Sequence, residues 1–187
     1  MEFTKLLQME KDLDERIENE HPRKQGEDRR AKKLIALFVE IGEMANEARF
    51  FKCWSHDQEP RTTCPECKNA GFVGMADYAE VECWECEGKG KNPLLEEAVD
   101  VLHFLLSIAN DINIDSPAVE LFKKLSLEEQ VLDLIDQART CYVPTDWHCT
   151  WSLYIGLMDM LGFTWEQICE AYLEKNAVNF MRQETGY

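Results

Sequence analysis

Glu40 and Glu43, and after a long interval Glu97 and Asp100, are the residues of this chain whose types and spacing could do chemistry. Each pair is three positions apart within an apolar-periodic stretch, so its two carboxylates share one face of a helix. Ile35, Phe38, Ile41, Met44 and Ala45 supply the buried stripe expected of the first stretch, and Leu95, Val99, Leu102, Leu106 and Ala109 that of the second. Like charges repel, so two acidic pairs brought together lower stability unless divalent cations bridge them. Magnesium suits such a site because it takes hard oxygen ligands octahedrally and shares them with phosphate groups. The same spacing also allows a blander reading, two solvated acidic helix faces.

A second constellation, Cys64-Pro-Glu-Cys67 and Cys83-Trp-Glu-Cys86, has 15 residues between its halves. C-x2-C-x15-C-x2-C lies within the spacing of a four-cysteine zinc site, in which two tight turns each present two thiolates. Four thiolates leave no open coordination position, so this zinc is expected to be structural. Disulfide pairing is the competing reading. Redox chemistry fits less well, because neither C-x-x-C opens a helix of a strand-helix-strand unit. Cys53, Cys141, Cys149 and Cys169 share no ligand spacing and read as small apolar or interface residues.

The elements that must position these groups are helical. Residues 3–19 form an amphipathic pattern on Leu6, Leu7, Met9, Leu13 and Ile17, ended by His21-Pro22 and Gly26. A second helix is expected from about Asp28 to about Trp54. Its basic start (Arg29, Arg30, Lys32, Lys33) opposes the macrodipole, which suggests either a ligand-facing role or a solvated turn. Residues 94–111 carry the second acidic pair and His103. A weaker segment follows Ser116-Pro117, and the capping box Ser126-Leu-Glu-Glu129 opens a helix to about Arg139. Thr145 or Asp146 is expected to cap the next helix, which buries Trp151, Tyr154, Leu157 and Leu161 and ends at Gly162. Thr164-Trp-Glu-Gln167 is another capping box, opening a last helix to about Gln183. The stretch from His56 to Asn92 is broken by proline and glycine and holds strand-like pieces at Phe72-Val73 and Tyr78–Glu82. The expected fold is all-α, a helical bundle of residues 1–55 and 93–187 with a small four-cysteine zinc-binding insert, a ribbon or knuckle, over residues 56–92.

With 187 residues the chain is long enough for one domain with a real core. Its net charge of −16 argues against direct nucleic-acid binding, although phosphates remain accessible when metal ions stand between. No apolar run approaches the ~20 residues of a membrane span, so no membrane partner is expected. Met1-Glu2-Phe3-Thr4-Lys5 lacks the layout of a signal peptide, and a cytoplasmic location follows.

Glu40-Ile-Gly-Glu43-Met-Ala-Asn46-Glu47, then Phe51-Lys52-Cys53-Trp54-Ser55, resembles the first motif block of the dimeric all-α dUTP diphosphatases (dUTPases). Leu94-Leu-Glu-Glu97-Ala-Val-Asp100-Val-Leu-His103-Phe104 resembles the second, and Tyr172-Leu-Glu-Lys175-Asn176-Ala-Val-Asn179-Phe-Met-Arg182-Gln183-Glu-Thr-Gly186-Tyr187 is similar to the C-terminal block. The acidic pattern alone points to the wider all-α (MazG-like) nucleoside triphosphate pyrophosphatases; the last block narrows it to the dUTPase branch. The resemblance covers nearly everything except residues 56–92. It implies magnesium-dependent hydrolysis of dUTP to dUMP and pyrophosphate by a homodimer, which sanitises the nucleotide pool and supplies the dTMP precursor. It implies that Glu40, Glu43, Glu97 and Asp100 hold two or three magnesium ions, with Glu43 or Glu40 orienting the attacking water and taking its proton. Lys175 and Arg182 would neutralise phosphates and Asn179 would hydrogen-bond the phosphate or sugar. Lys52 would lie at the phosphate end, Trp54 would pack on the base or sugar, and His103 would border the deoxyribose and base. Trp54 also reads as plain core packing.

One position departs from the family pattern. Where the first helix is expected to carry glutamine after its methionine, in a run that helps read uracil, this chain has Met9-Glu10-Lys11-Asp12-Leu13-Asp14. An ionised carboxylate only accepts hydrogen bonds, whereas an amide also donates, so Glu10 would take the uracil imide proton and tolerate the amino group of cytosine. Gln8 cannot substitute, because two residues back on a helix points about 200° away. Two alternatives follow: an all-α pyrophosphatase acting on dCTP or another (modified) nucleotide, or a zinc-dependent interaction or regulatory protein on a non-catalytic scaffold.

Overall fold

In the computed structural model, which describes residues 1–76 and 79–186, the apolar periodicity becomes helices α1 (Phe3–Glu20), α2 (Arg29–Ala48), α3 (Pro93–Asp111), α4 (Leu127–Ala138), α5 (Pro144–Met160) and α6 (Trp165–Thr185). A single hairpin, β1 (Phe72–Ala76) with β2 (Ala79–Glu82), is antiparallel, with an irregularity between Phe72 and Gly74. Tyr78 and Tyr187 lie outside the described residues. The architecture is the expected all-α bundle with a small excursion.

α3 is apolar on almost every side, and a helix of that kind can only sit in the centre. Ala98, Val99, Val101, Leu102, Leu105, Leu106, Ile108 and Ala109 are all fully buried. α1, α2, α5 and α6 pack around it, and α4 closes over α5 and α2. Trp147 Nε1 donates to the Leu105 carbonyl at 2.9 Å and the Tyr154 hydroxyl to that of Ala98 at 3.0 Å, so two large α5 side chains are satisfied at both their apolar and polar ends. α2 and α3 run antiparallel. Lys33 Nζ meets Asp111 at 3.0 Å at one end; at the other, Arg61 N donates to the Glu47 carbonyl and Leu94 N to that of Arg61, each at 3.0 Å. That pairing is what sets the acids of the two helices side by side.

Several local expectations need correction. α2 stops at Ala48 instead of about Trp54, because Arg49 takes the left-handed conformation (φ 64°) while its N–H caps Ala45. Nothing in the residue type signals this stop. It is held by the Arg49 guanidinium, which donates to the Asp57 carbonyl at 3.1 and 2.7 Å. α5 starts at Pro144, with Val143 at the cap and no side-chain cap bond, rather than at Thr145 or Asp146. Proline has no N–H to lose and a helix-compatible φ, so it fits the first helical position. The stripe of α2 that enters the core is Leu37, Ile41, Met44 and Ala48; Phe38 and Ala45 are half-buried and Ile35 is 64% exposed. Leu95 and Leu161 are likewise only half-buried. The two capping boxes behave differently. Both Thr164 and Gln167 bond reciprocally at α6, while at α4 the Ser126 hydroxyl accepts from Glu129 N and the Glu129 carboxylate accepts from Leu125 N.

The basic start of α2 is neutralised internally. Arg29 pairs with Glu18 and Glu27 at 3.3 and 3.2 Å, Lys32 with Glu27 at 2.7 Å, and Asp28 caps the helix through Ala31 N. The segment between α3 and α4, where only a weak pattern was expected, carries no helix and is strapped across α5. Gln130 Nε2 donates to the carbonyls of Phe122 and Leu153, both at 2.7 Å, and a Cβ at Gly156 would lie 2.1 Å from the Phe122 oxygen.

In the excursion, each C-x-x-C turn is followed by residues of positive φ: Lys68, Asn69 and Gly71 in the first half, Glu87, Gly88 and Gly90 in the second. This duplication is also readable in the sequence. Asn69 Oδ1 ties the halves together by accepting from Cys64 N at 2.7 Å and Lys91 N at 3.0 Å.

Candidate active site

Glu40 on α2 and Glu97 and Asp100 on α3 present carboxylate oxygens that all lie within 4.8 Å of one another. Glu43, one turn along α2, is solvent-exposed and falls outside this set, but its charge raises both Glu40 and Glu97. Burial pushes Glu40 up to about 7, reinforced by repulsion from Asp100, Glu43 and Glu97. Burial likewise pushes Glu97 to about 7, with Asp100, Glu43 and Glu47 adding to it. Lys175, from α6, is the counterweight: its Nζ meets Asp100 Oδ2 at 2.5 Å and opposes both shifts. The site is therefore a half-buried anionic cluster with one internal cation, a donor set of hard oxygens that fits a divalent ion.

Glu40, Asp100 and Lys175 open onto a cleft of about 920 Å³ between α1, α2, α3 and α6, and Asn179 and Arg182 line it from α6. His103, one turn beyond Asp100, also lines it, facing Glu10 of α1. His103 Nδ1 and Glu10 Oε2 are 2.6 Å apart with both side chains buried. The Tyr172 hydroxyl donates to the same Glu10 oxygen at 2.8 Å, and its ring stacks on His103 with centroids 4.4 Å apart. Gln8 points elsewhere, bonding the exposed Asp12 at 2.7 Å.

The sequence that builds this site matches a known family. The family described as dUTPase matches residues 2–65 and 72–187.

The chain belongs to the dUTPase family. It is a dUTP diphosphatase acting on a nucleotide, in a family of enzymes that generally use a divalent metal. The match continues through most of the cysteine-bearing excursion, which the resemblance of motif blocks did not cover. No curated protein and no solved structure matches the chain.

Of the residues expected in the dUTPase site, the fold brings together Glu40, Asp100, Lys175, Asn179, Arg182, His103 and Glu10 along one cleft, with Glu97 beside Glu40 and Asp100 but outside its lining. Lys52 and Trp54 do not line it. Lys52 Nζ bonds Asn46 Oδ1 at 2.5 Å, and Trp54 is 74% exposed with its edge on Phe51. Sequence reasoning missed Tyr172 as a partner of Glu10 and Glu47 as a neighbour of Glu97. It also missed a polar knot beside the cleft, where Ser107 donates to Asp14 at 2.7 Å and Lys33 meets the same carboxylate at 3.3 Å. Ser107 and Tyr172 are buried while Asp14, Lys33 and Glu47 are half-buried, and nothing local in the sequence marks these pairings.

The second cluster is the four cysteines, all buried, with sulfurs within 4.8 Å of one another. Cys64 and Cys83 Sγ are 3.8 Å apart and Cys67 and Cys86 Sγ 3.5 Å. A zinc tetrathiolate has sulfur–sulfur edges of about 3.8 Å, so the cluster can hold that ion with little movement. Burial pushes the Cys67 thiol up, but hydrogen bonds from Gly71 N–H and the neighbouring thiols outweigh it and bring it below the ordinary thiol range. Among the other cysteines, Cys141 and Cys169 are buried, Cys149 is half-buried and Cys53 is exposed.

Proposed function

We propose that this dUTPase hydrolyses dUTP to dUMP and pyrophosphate in a magnesium-dependent reaction, with Glu40, Glu43, Glu97 and Asp100 as ligands of two or three ions. The observation that carries the reading is the convergence of Glu40, Glu97 and Asp100 at the side of a nucleotide-sized cleft. Bound magnesium would neutralise phosphate charge and acidify a water. The chain's own residues do the rest. Glu40, raised to about 7 by burial and neighbouring acids, is suited to hold the attacking water and accept its proton, with exposed Glu43 beside it. Lys175 and Arg182 place positive charge along the triphosphate, and Asn179 supplies an amide to phosphate or sugar. His103 and Glu10 border the nucleoside. Lys52 and Trp54, beyond the end of α2, would reach phosphate and base only after that segment closes or a second copy docks.

A homodimer is supported by a surplus apolar face. Ile35 and Val39 on α2, and Leu132 and Ile135 on α4, are exposed on two helices that pack together. Structural zinc on Cys64, Cys67, Cys83 and Cys86 would organise residues 56–92 as an insert in a bundle of residues 1–55 and 93–187. The enzyme would act in the cytoplasm; no helix of the described residues is long and apolar enough to cross a membrane.

Pyrophosphate release from dUTP, dCTP and dTTP, with magnesium and with a chelator, tests this reading. Turnover of dUTP well above dTTP, abolished by chelation, is expected. Equal rates on all three, or hydrolysis indifferent to chelation, would remove it. Appreciable dCTP turnover would instead support the alternative of a pyrophosphatase acting on dCTP.

A further inference from the structure

Glu10 is unusual in where its hydrogen bonds go. One oxygen, Oε2, takes both the His103 ring nitrogen at 2.6 Å and the Tyr172 hydroxyl at 2.8 Å, and the side chain is 5% exposed. Tyr172 has only a proton to give in this contact, since burial and then the Glu10 charge push its hydroxyl well above the ordinary phenol range. That one oxygen therefore faces two polar partners at once. A proton must lie between it and His103 Nδ1, because two bare acceptors at 2.6 Å would repel. With the single ring proton on Nδ1, Nε2 is without hydrogen and therefore an acceptor. Nε2 is buried and has no partner among the described residues, although His103 lines the cleft. A buried ring nitrogen left unpaired is destabilising, and a ligand donor would relieve it.

We propose that Glu10 selects the nucleobase indirectly, as a positioning residue. It locks His103 in the Nδ1–H tautomer so that the bare Nε2 accepts the imide N3–H of uracil. The inference rests on the dUTPase reading and deepens it by naming the base contact. The surroundings favour a base over a sugar: the His103 ring is stacked on Tyr172, and Phe104, Leu13 and Ile17 line the same cleft. Glu10 itself, with Oε2 occupied twice, is a backing group and not the reader.

The test compares dUTP, N3-methyl-dUTP and 2′,3′-dideoxyuridine triphosphate on the wild-type enzyme with magnesium and on two variants. In His103→Asn the amide nitrogen can occupy the Nδ1 position and keep the bond to Glu10, while the Nε2 acceptor is lost. Wild type should prefer dUTP over the N3-methyl analogue by at least tenfold in kcat/KM, and His103→Asn should bring that ratio near one by slowing dUTP alone. Glu10→Ala, which carries the test should His103→Asn not fold, should lower the ratio with His103 still present. Ring nitrogen-15 shifts of His103 should report the Nδ1–H tautomer in wild type and its loss in Glu10→Ala. A methyl discrimination unchanged in both variants overturns the proposal. So does a protonated or Nε2–H ring in wild type, or a ratio that collapses for the 3′-deoxy substrate instead, which would make the sugar hydroxyl the donor. If wild type hydrolyses dUTP but fails these arms, only this inference falls; if it does not hydrolyse dUTP, the functional reading falls with it.

Discussion

The chain contains two clusters of anionic ligands, and they are built in opposite ways. The thiols come from two tight turns joined by a hairpin, close in sequence, and the backbone folds over them until all four are buried. The carboxylates come from two long antiparallel helices, are only half-buried, and open onto a large cleft with Lys175 at their edge. Turns can collapse around an ion because their backbone adapts. Helices cannot, since α2 and α3 are held apart by the packing of Ile41, Met44, Leu102 and Leu105, all fully buried or nearly so. A closed cluster suits an ion that holds structure, and an open one suits ions that must share ligands with substrate and water.

The largest expected effect lies at the open cluster. Asp100→Asn should lower kcat/KM for dUTP at least 100-fold, about 2.7 kcal/mol in transition-state stabilisation. Thermal unfolding without magnesium should show the variant no less stable than wild type, because one of several repelling charges is gone. A large loss of stability would make Asp100 a structural partner of Lys175 first. At the closed cluster the expectation inverts. Cys83→Ser should abolish zinc retention, measured by metal content, and expose the β1–β2 amides to hydrogen exchange, while pyrophosphate release stays within about threefold. Loss of hydrolysis in a folded bundle would show that the two clusters are coupled, with Arg61, bonded to both α2 and α3, as the obvious link.

Both clusters were legible in sequence because each rests on a short local rule. E-x-x-E and E-x-x-D need only helical periodicity to share a face, and C-x2-C needs only a turn. The all-α fold followed from the same periodicity, and the capping residues Ser126 and Thr164 sit where expected. What was not legible depends on partners distant in sequence. Arg49 ends α2 because Asp57 holds it, Glu10 meets His103 across 93 positions, and Tyr172 meets Glu10 across 162. Ile35 fits the apolar period yet faces outward, because periodicity gives a face and not the width of the core behind it. Glu43 shares the spacing of Glu40 but is exposed, since three residues advance a helix by about 300° and turn it off the seam that Met44 and Ala48 continue.

The pH response should sharpen the contrast further. Glu40 and Glu97 are raised from an ordinary 4.5 to about 7, so the folded, metal-free state holds their protons more tightly than the unfolded state. The sign follows: their contribution to stability is full below about 4.5 and is lost as pH rises through about 7. Magnesium has to displace those protons, so its affinity should rise about tenfold per carboxylate between pH 6 and 8, measured by calorimetry. An affinity flat across that range would mean that neither glutamate ligates the ion.

The smallest effect concerns Lys175, which distinguishes the open cluster from an all-anionic one. Its ammonium competes with a metal ion for Asp100 and repels that ion directly, while the same charge is positioned to attract the triphosphate. A unit charge a few ångströms away in a half-solvated site acts with an energy of order 1 kcal/mol. Lys175→Met should therefore tighten magnesium binding to the nucleotide-free enzyme a few-fold at pH 8, where the carboxylates are ionised, and at the same time raise KM for dUTP. The opposite signs matter more than the size. A residue that only props Asp100 would weaken both when removed, and one that only binds phosphate would leave metal affinity unchanged. If magnesium binding and KM move as expected, the cation is part of the open cluster's design: it ties α6 to α3 through Asp100 before ions arrive, then turns toward the substrate once they replace it there.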